Sequence, residues 1–287
     1  MKILITGQSG FIGKHLTNAI KKTGHEIISA DLSNGIDICD FNQLESLERP
    51  ELIIHLANLS FVPASFVNPA EFYRVNYIST LNVLELCRKF KIGLIYFSSY
   101  IYGRPEYQPI DEKHPIKAFN PYAQTKVLCE SLCEGYNRDF GINITIFRPF
   151  NIYGPGQNPD FLIPQMITQA LKEQKISVKN DQPKRDYIHI FDVVSAITKA
   201  VNKQKNDGKL AIYNLGTGNS HSVKEVAYMI MENIHEPIVY ECSGETRPNE
   251  VMDTIADISL IYNELNWIPK ISLNEGISAM IEKYKQV

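Results

Sequence analysis

A strong charge of either sign is what this chain lacks first. Its 29 Lys and Arg stand against 32 Asp and Glu, a formal net charge of −3 at pH 7. Nucleic acid and anionic membrane surfaces are therefore not expected partners. Long apolar runs are missing too: the longest are strand-sized, too short to cross a bilayer. Cysteine is scarce, 5 in 287 residues, odd in number and irregular in spacing, which fits a reducing compartment rather than a disulfide framework. Cys129 and Cys133 lie four apart, yet no second Cys/His pair at ligand spacing accompanies them, so buried thiols and no metal site are expected. The N-terminus runs straight into Ile3-Leu4-Ile5, which leaves no room for a signal peptide, and the expected location is cytoplasmic.

What is present is an ordinary globular composition, long enough at 287 residues for one large domain with a smaller one appended. Short β-rich runs alternate with helical segments. Residues 2–6 read as a strand and 11–23 as a helix, with Ile12, Leu16 and Ile20 on one face and Gly24 just past its end. Strands are expected at 26–30, 52–57, 94–98 and 142–147; the second of these is so continuously apolar that both its faces should be covered. Helices are expected over 69–90 and from Pro121. This alternation argues for an α/β, Rossmann-type doubly wound parallel sheet. Beyond Arg148 the elements scatter: helices near 162–173, 191–202, 223–233 and 273–284, and short strands near Ser177, Ile212 and Val239. They suggest a smaller C-terminal α+β lobe. The expected division is a dinucleotide-binding domain over 1–150, rejoined by about 186–216, and a lobe over 151–287 that mainly binds substrate.

The glycine pattern supplies the first chemistry. Thr6-Gly7-Gln8-Ser9-Gly10-Phe11-Ile12-Gly13 follows the first strand and opens the first helix. In that position Gly7 suits a tight turn, Gly10 a close backbone approach to a pyrophosphate, and Gly13 close helix–sheet packing. The helix N-terminus offers free N–H groups and a positive dipole end to phosphates, with Phe11 and Ile12 at its start. Asp31 ends the second strand, where a carboxylate can hold a ribose 2′-hydroxyl and repel a 2′-phosphate, so NAD is expected over NADP. Asp37 and Ile38, after a further short strand, are expected beside the adenine.

A second constellation lies at Asn120-Pro121-Tyr122-Ala123-Gln124-Thr125-Lys126. Asn120 can cap a helix that starts at Pro121, which puts Tyr122 and Lys126 four apart on one helical face. A neighbouring ammonium favours the phenolate and lowers the Tyr122 pKa, making it a proton-transfer group. Ser98-Ser99-Tyr100 leave the strand at 94–98, at the carboxyl end where a doubly wound sheet binds its ligands.

These features together resemble the extended short-chain dehydrogenase/reductase family, the NAD-dependent nucleotide-sugar epimerases and dehydratases. The likeness rests on Gly7/Gly10/Gly13, Asp31, Ser98 five residues before Gly103, and Tyr122-x-x-x-Lys126. It continues through Arg148-Pro149-Phe150-Asn151-Ile152-Tyr153-Gly154-Pro155, Arg185-Asp186-Tyr187-Ile188-His189 and Tyr213-Asn214-Leu215-Gly216-Thr217-Gly218 to Glu264-Leu265-Asn266-Trp267. The resemblance implies that Tyr122 moves the proton of a sugar hydroxyl, that Lys126 holds the nicotinamide ribose, and that Ser98 orients the reacting oxygen. Leu56, Ala57 and Asn76 would line the cofactor groove, and Pro149 and Phe150 would lie beside the nicotinamide. Ser99, Tyr100, Asn151, Leu162, Arg185 and Arg247 match substrate positions, the two arginines suiting a nucleotide diphosphate. A homodimer through the helices near 69–90 and 122–138 is also implied.

Three readings of the activity stand side by side. Ser99 and Tyr100 occupy the positions where sugar dehydratases of the resembled family carry Asp-Glu, so elimination lacks its acid and base. A nucleotide-sugar 4-epimerase of the UDP-glucose 4-epimerase kind is favoured by Asp31 and by Arg185-Asp186-Tyr187-Ile188-His189. An NAD(P)H-dependent reductase of nucleotide 4-keto-6-deoxy sugars is favoured by the short Asp31-to-Asp37 stretch and the bulk of Tyr100. A non-catalytic NAD-binding scaffold is opposed by the intact Ser98, Tyr122 and Lys126.

Overall fold

The computed structural model describes residues 1–204, 207–246 and 250–286. Its strands are β1 (Lys2–Thr6), β2 (Glu26–Ala30), β3 (Leu52–His55), β4 (Gly93–Phe97), β5 (Ile144–Pro149), β6 (Asn151–Tyr153), β7 (Lys175–Val178), β8 (Lys184–Arg185), β9 (Tyr187–His189), β10 (Leu210–Leu215), β11 (His221–Ser222) and β12 (Val239–Cys242). The helices are α1 (Phe11–Lys22), α2 (Phe41–Glu45), α3 (Val62–Val67), α4 (Pro69–Phe90), α5 (Pro121–Phe140), α6 (Leu162–Glu173), α7 (Ile190–Lys203), α8 (Val223–Ile234), α9 (Ser259–Leu265) and α10 (Leu273–Lys285).

Six strands form one parallel sheet in the order β2-β1-β3-β4-β5-β10. Alternation along each strand feeds two cores. Ile3 and Ile5 of β1, with Ile54, Ile95 and Phe147, meet α1 and α7 on one face. Leu4, Ile53, Leu94 and Ile146 meet α4 and α5 on the other. Both faces are dry, which is why β3 reads as an uninterrupted apolar run. The doubly wound parallel fold expected from the sequence is thus observed.

The chain steps from β1 outward to β2, then crosses back to place β3 on the other side of β1. That reversal opens a crevice at the carboxyl ends of β1 and β3, the place where open α/β sheets bind ligands. A separate core of α6, α8 and α10, including Ile167, Val226, Ile230 and Ile277, builds the second lobe. Helix α7 and strand β10 come from the later half of the chain but pack on the main sheet.

One expected element is absent. No strand lies between Asp31 and Asp37; Leu32–Asn34 instead makes a single 3-10 turn. Asp31 caps it, accepting from the Ser33 N–H, while the Asn34 side chain accepts from the Asp31 N–H. Side chain–backbone bonds from Asp and Asn compete with strand pairing in this way. No described helix is long and apolar enough to cross a membrane, and no described group of His, Cys, Asp and Glu could hold a metal ion. Cys129 and Cys133 are buried free thiols, as expected.

Candidate active site

The glycine-rich turn is fixed by crowding. Gly7 has φ +71°, and a Cβ there would stand 2.7 Å from the Ala57 nitrogen. At Gly13 a Cβ would stand 2.3 Å from the Gly7 carbonyl oxygen. These two glycines pull α1 and the β3 exit against the turn. Gly10 has looser surroundings, with the Gly7 oxygen 3.2 Å from a built Cβ. As N-cap of α1 it supplies no side-chain cap, so the first N–H groups of the helix stay available to an anion.

Across the crevice the two strand ends are stitched together. Thr6 Oγ1 accepts from the Leu56 N–H at 3.2 Å and the Ala57 N–H at 3.1 Å, and lies 2.7 Å from His55 Nδ1. The consistent direction has Thr6 donating to Nδ1. His55 Nε2 then donates to Thr80 Oγ1 at 3.1 Å, and Thr80 donates to the Asn76 carbonyl at 2.8 Å. Burial, and then the charge of Lys126, push His55 down to about 3, so it stays neutral. Nothing in the sequence separated His55 from a core residue at the end of an apolar strand.

Asp31 sits at the lip of this crevice. Its carboxylate accepts from the Ser9 hydroxyl at 2.7 Å, the Ser9 N–H at 2.9 Å and the Ser33 N–H at 2.9 Å. Burial alone would raise its pKa, but these donors outweigh burial and hold it below the usual value. An ionised carboxylate beside the turn and open N–H groups at a helix start together fit a dinucleotide. Ile38 and Leu56 are buried, Asp37 accepts from the Cys39 N–H at 2.9 Å, and Phe11, Ile12 and Ala57 are half-buried around the same turn. Asn76 lies deeper, behind the groove. Its amide is committed inside the protein, accepting from the Leu59 N–H at 2.8 Å and donating to the Leu59 carbonyl at 3.1 Å and Thr125 Oγ1 at 2.9 Å. It shapes the groove wall from a position only 2% exposed.

The start of α5 forms as its sequence suggests. Asn120 accepts from the Ala123 N–H at 2.7 Å, and Pro121 takes the first helical position. Lys126 is buried, donates to the Phe97 carbonyl at 2.8 Å, and stands 5.9 Å from the Tyr122 ring centroid and 5.0 Å from that of Tyr96. Burial brings its pKa down to about 8. Tyr122 behaves differently from the simple expectation. Burial raises its phenol, the Ser99 side chain lowers it, and the raising effect wins. The ammonium that was expected to lower it is aimed at Phe97 instead.

The pair of serines follows the end of β4. Ser99, expected to meet substrate, is half-buried, and its side chain lowers the Tyr122 phenol. Ser98, expected to orient the reacting oxygen, is 2% exposed, and its hydroxyl has no hydrogen-bond partner among the described residues. The strand ends at Phe97, and the Ser98 N–H is still held by the Phe147 carbonyl at 2.8 Å.

Beneath the site a buried ion pair fixes α5 to β5. Arg148 is held by Glu130 through Nε at 3.1 Å and Nη2 at 2.6 Å, and its Nη1 donates to Tyr102 Oη at 3.1 Å. Pro149 and Phe150 at the end of β5 are buried beside it. On the lobe side, Arg185 Nη1 donates to the Val251 carbonyl at 2.6 Å and the Lys184 carbonyl at 2.8 Å. Its Nε and Nη2 have no partner among the described residues. The Tyr187 hydroxyl, which sequence reasoning passed over, is buried without a partner among the described residues and within range of the Arg185 charge. Asn151 donates to the Asp186 carbonyl at 3.3 Å, and Leu162 opens α6 half-buried. Arg247 lies outside the described residues.

A parallel doubly wound sheet with a glycine turn at its crevice, and a Tyr–Lys helix face beside it, define a dinucleotide-dependent enzyme fold. Known proteins agree. Residues 3–216 match the NAD dependent epimerase/dehydratase family. A putative UDP-glucose 4-epimerase of Methanocaldococcus jannaschii is 32% identical over 99% of this chain and 98% of its own length. The GDP-6-deoxy-D-talose 4-dehydrogenase of Aggregatibacter actinomycetemcomitans is 33% identical over 92% and 91%. A crystal structure of UDP-glucose 4-epimerase from Thermotoga maritima with UDP-glucose has a TM-score of 0.91 at 28% identity, covering 100% of this chain and 99% of that one. The chain belongs to the NAD dependent epimerase/dehydratase family, as its motifs implied.

Proposed function

We propose that this protein catalyses NAD-dependent oxidation and reduction at C4 of a nucleotide-diphosphate sugar, as a 4-epimerase. The observation that carries this is the Tyr122–Lys126 face of α5, with the buried Lys126 ammonium 5.9 Å from the Tyr122 ring centroid beside the end of β4. NAD, held by the start of α1 and Asp31, would supply the hydride chemistry at C4. Tyr122 takes the proton of the C4 hydroxyl and later returns it, so the reaction consumes no net acid or reductant. Ser98, whose hydroxyl has no partner among the described residues, and Ser99 beside Tyr122 orient the same oxygen. Lys126, with N–H groups beyond the one given to Phe97, reaches the nicotinamide ribose.

Asp31 takes the adenosine ribose, and the start of α1 takes the pyrophosphate. Arg185, Asn151 and Tyr187 hold the sugar-nucleotide diphosphate from the lobe, with Arg247 as a further candidate. In this reading residues 1–150, with 186–216, bind the dinucleotide, and the rest of 151–287 mainly binds substrate. A homodimer through the outer faces of α4 and α5 is supported by the exposed Tyr73, Leu128 and Phe140.

A second reading, one-way reduction of a nucleotide 4-keto sugar by NAD(P)H, is favoured by the fixed bulk of Tyr100. Retained cofactor separates the two. Mass spectrometry of purified protein, followed by incubation with a nucleotide-sugar panel, tests the proposal. Isomerisation without net cofactor change supports the epimerase; stoichiometric consumption of NADH or NADPH on a keto sugar supports the reductase.

A further inference from the structure

We infer that His55 is a positioning residue, the centre of a buried line of hydrogen bonds that holds the cofactor turn and the Tyr122 turn of α5 in register. The inference rests on the roles of NAD and Tyr122 proposed above. His55 ends the apolar run of β3, with Thr6 of β1 and Tyr96 of β4 as its register partners. The line runs from Thr6 through His55, Thr80 and Asn76 to Thr125, and each of these five is at most 2% exposed. No solvent is there to replace a bond that is lost, so each one fixes its neighbour.

The direction of every bond is set by its neighbours. The Thr6 hydroxyl already accepts from two N–H groups, Leu56 and Ala57, so its own proton goes to Nδ1 of His55. The Thr80 hydroxyl gives its proton to the Asn76 carbonyl, so it accepts from Nε2. His55 is therefore a neutral ring that accepts on the cofactor side and donates on the helix side. A leucine would fill the same place in the core and could do neither.

Each end of the line meets a different part of the site. On the first, the Ala57 N–H held by Thr6 lies against Gly7, where a Cβ would stand 2.7 Å from the Ala57 nitrogen. The turn offered to the pyrophosphate has no slack there. On the second, α4 carries Thr80 and Asn76 one turn apart, and Asn76 Nδ2 donates to Thr125 Oγ1 at 2.9 Å. Thr125 in turn donates to the Tyr122 carbonyl at 2.7 Å. Cys129 Sγ adds a second tie from α5 to the Asn76 carbonyl at 3.4 Å. The turn of α4 that His55 holds is thus the one that grips the start of α5.

Two substitutions separate the ends. Asparagine sets an amide oxygen near the place of Nδ1, so His55→Asn keeps the bond from Thr6 and drops the one to Thr80. Its Kd for NAD is expected to stay within about twofold of wild type, while kcat at saturating NAD falls about tenfold. Glutamine reaches the place of Nε2, so His55→Gln keeps Thr80 and drops Thr6. Its Kd for NAD is expected to rise about tenfold, with kcat at saturating NAD within about threefold of wild type. Calorimetric titration with NAD gives the first quantity, and NMR of products from a nucleotide-sugar panel gives the second. Should either variant lose its fold, Thr80→Val carries the expectation for asparagine and Thr6→Val that for glutamine. A histidine that only fills the core would lower Tm in both variants and move Kd and kcat together or leave both alone. That result, or any other than the crossed one, in variants of a wild type that binds NAD and turns over a nucleotide sugar, overturns the inference alone. A wild type that does neither overturns the proposed roles and the inference with them.

Discussion

Replacing Ser98 and Ser99 by alanine, one at a time, separates two hydroxyls that sequence spacing cannot. The Ser98 hydroxyl is buried with no partner among the described residues, a situation that costs about 1–3 kcal/mol of desolvation. Alanine removes that penalty and leaves a very small void. Ser98→Ala is therefore expected to stabilise the protein, measured without added nucleotide, by about 1 kcal/mol, a rise of about 2–4 °C in Tm for a chain of this size. Its kcat should stay within about threefold of wild type. Ser99 differs because its side chain lowers the Tyr122 phenol against the pull of burial. Losing a polar side chain that favours a group about to become charged costs about 1.5–3 kcal/mol, so kcat/KM of Ser99→Ala should fall by about 10- to 100-fold with Tm little changed. Calorimetry and steady-state assays on the two variants decide the matter. Collapse of activity in Ser98→Ala with a normal Ser99→Ala would refute the role of Ser99 and leave the one expected of Ser98 from spacing.

Arg185→Ala should raise KM for the sugar nucleotide by about 100-fold with little effect on kcat; a change confined to kcat would remove Arg185 from the diphosphate site. Asp31 has a lowered pKa, so the unfolded chain takes up its proton first as pH falls. Its contribution to stability is present above the ordinary carboxylate range and is lost as pH falls through the folded value. Asp31→Asn should flatten the acid limb of a urea-unfolding series and weaken discrimination against NADP, and an unchanged preference would count against the ribose contact. Lys126 has the opposite linkage: it ionises at about 8 when folded and at 10.5 as the free side chain. Between those values the unfolded state binds the extra proton, so stability rises with pH, by up to about 3 kcal/mol for this group. Lys126→Met should remove that rise, and an equal slope in the variant would contradict the burial of the ammonium.

The fold was largely legible in the sequence because its signals are local and repeated. Continuous apolar strands, the glycines of the first turn and the Asn120–Pro121 cap each specify one piece of backbone, and those pieces agree. The strand expected before Asp37 failed because Asp31 and Asn34 bond their own backbone more readily than they pair with a neighbour. The site was legible as a set of residues but not as a set of directions. Ser98 and Ser99 sit side by side, and only the end of β4 buries the first while leaving the second half-exposed. Asn76 and Lys126 show the same limit, since their partners, Leu59 with Thr125 and the Phe97 carbonyl, lie far away in the chain. His55 and Tyr187 carry no spacing signal; burial and missing or networked partners bring them out.

The central claim, reversible hydride transfer at C4 with the proton held by Tyr122, is met most directly by incubating the purified, NAD-loaded protein with UDP-glucose and with a panel of other nucleotide sugars. Products are read by NMR and the cofactor by absorbance. Interconversion of 4-epimers with no net change in cofactor, abolished in Tyr122→Phe while NAD remains bound, is the predicted result. Turnover that survives in Tyr122→Phe at near the normal rate would contradict it.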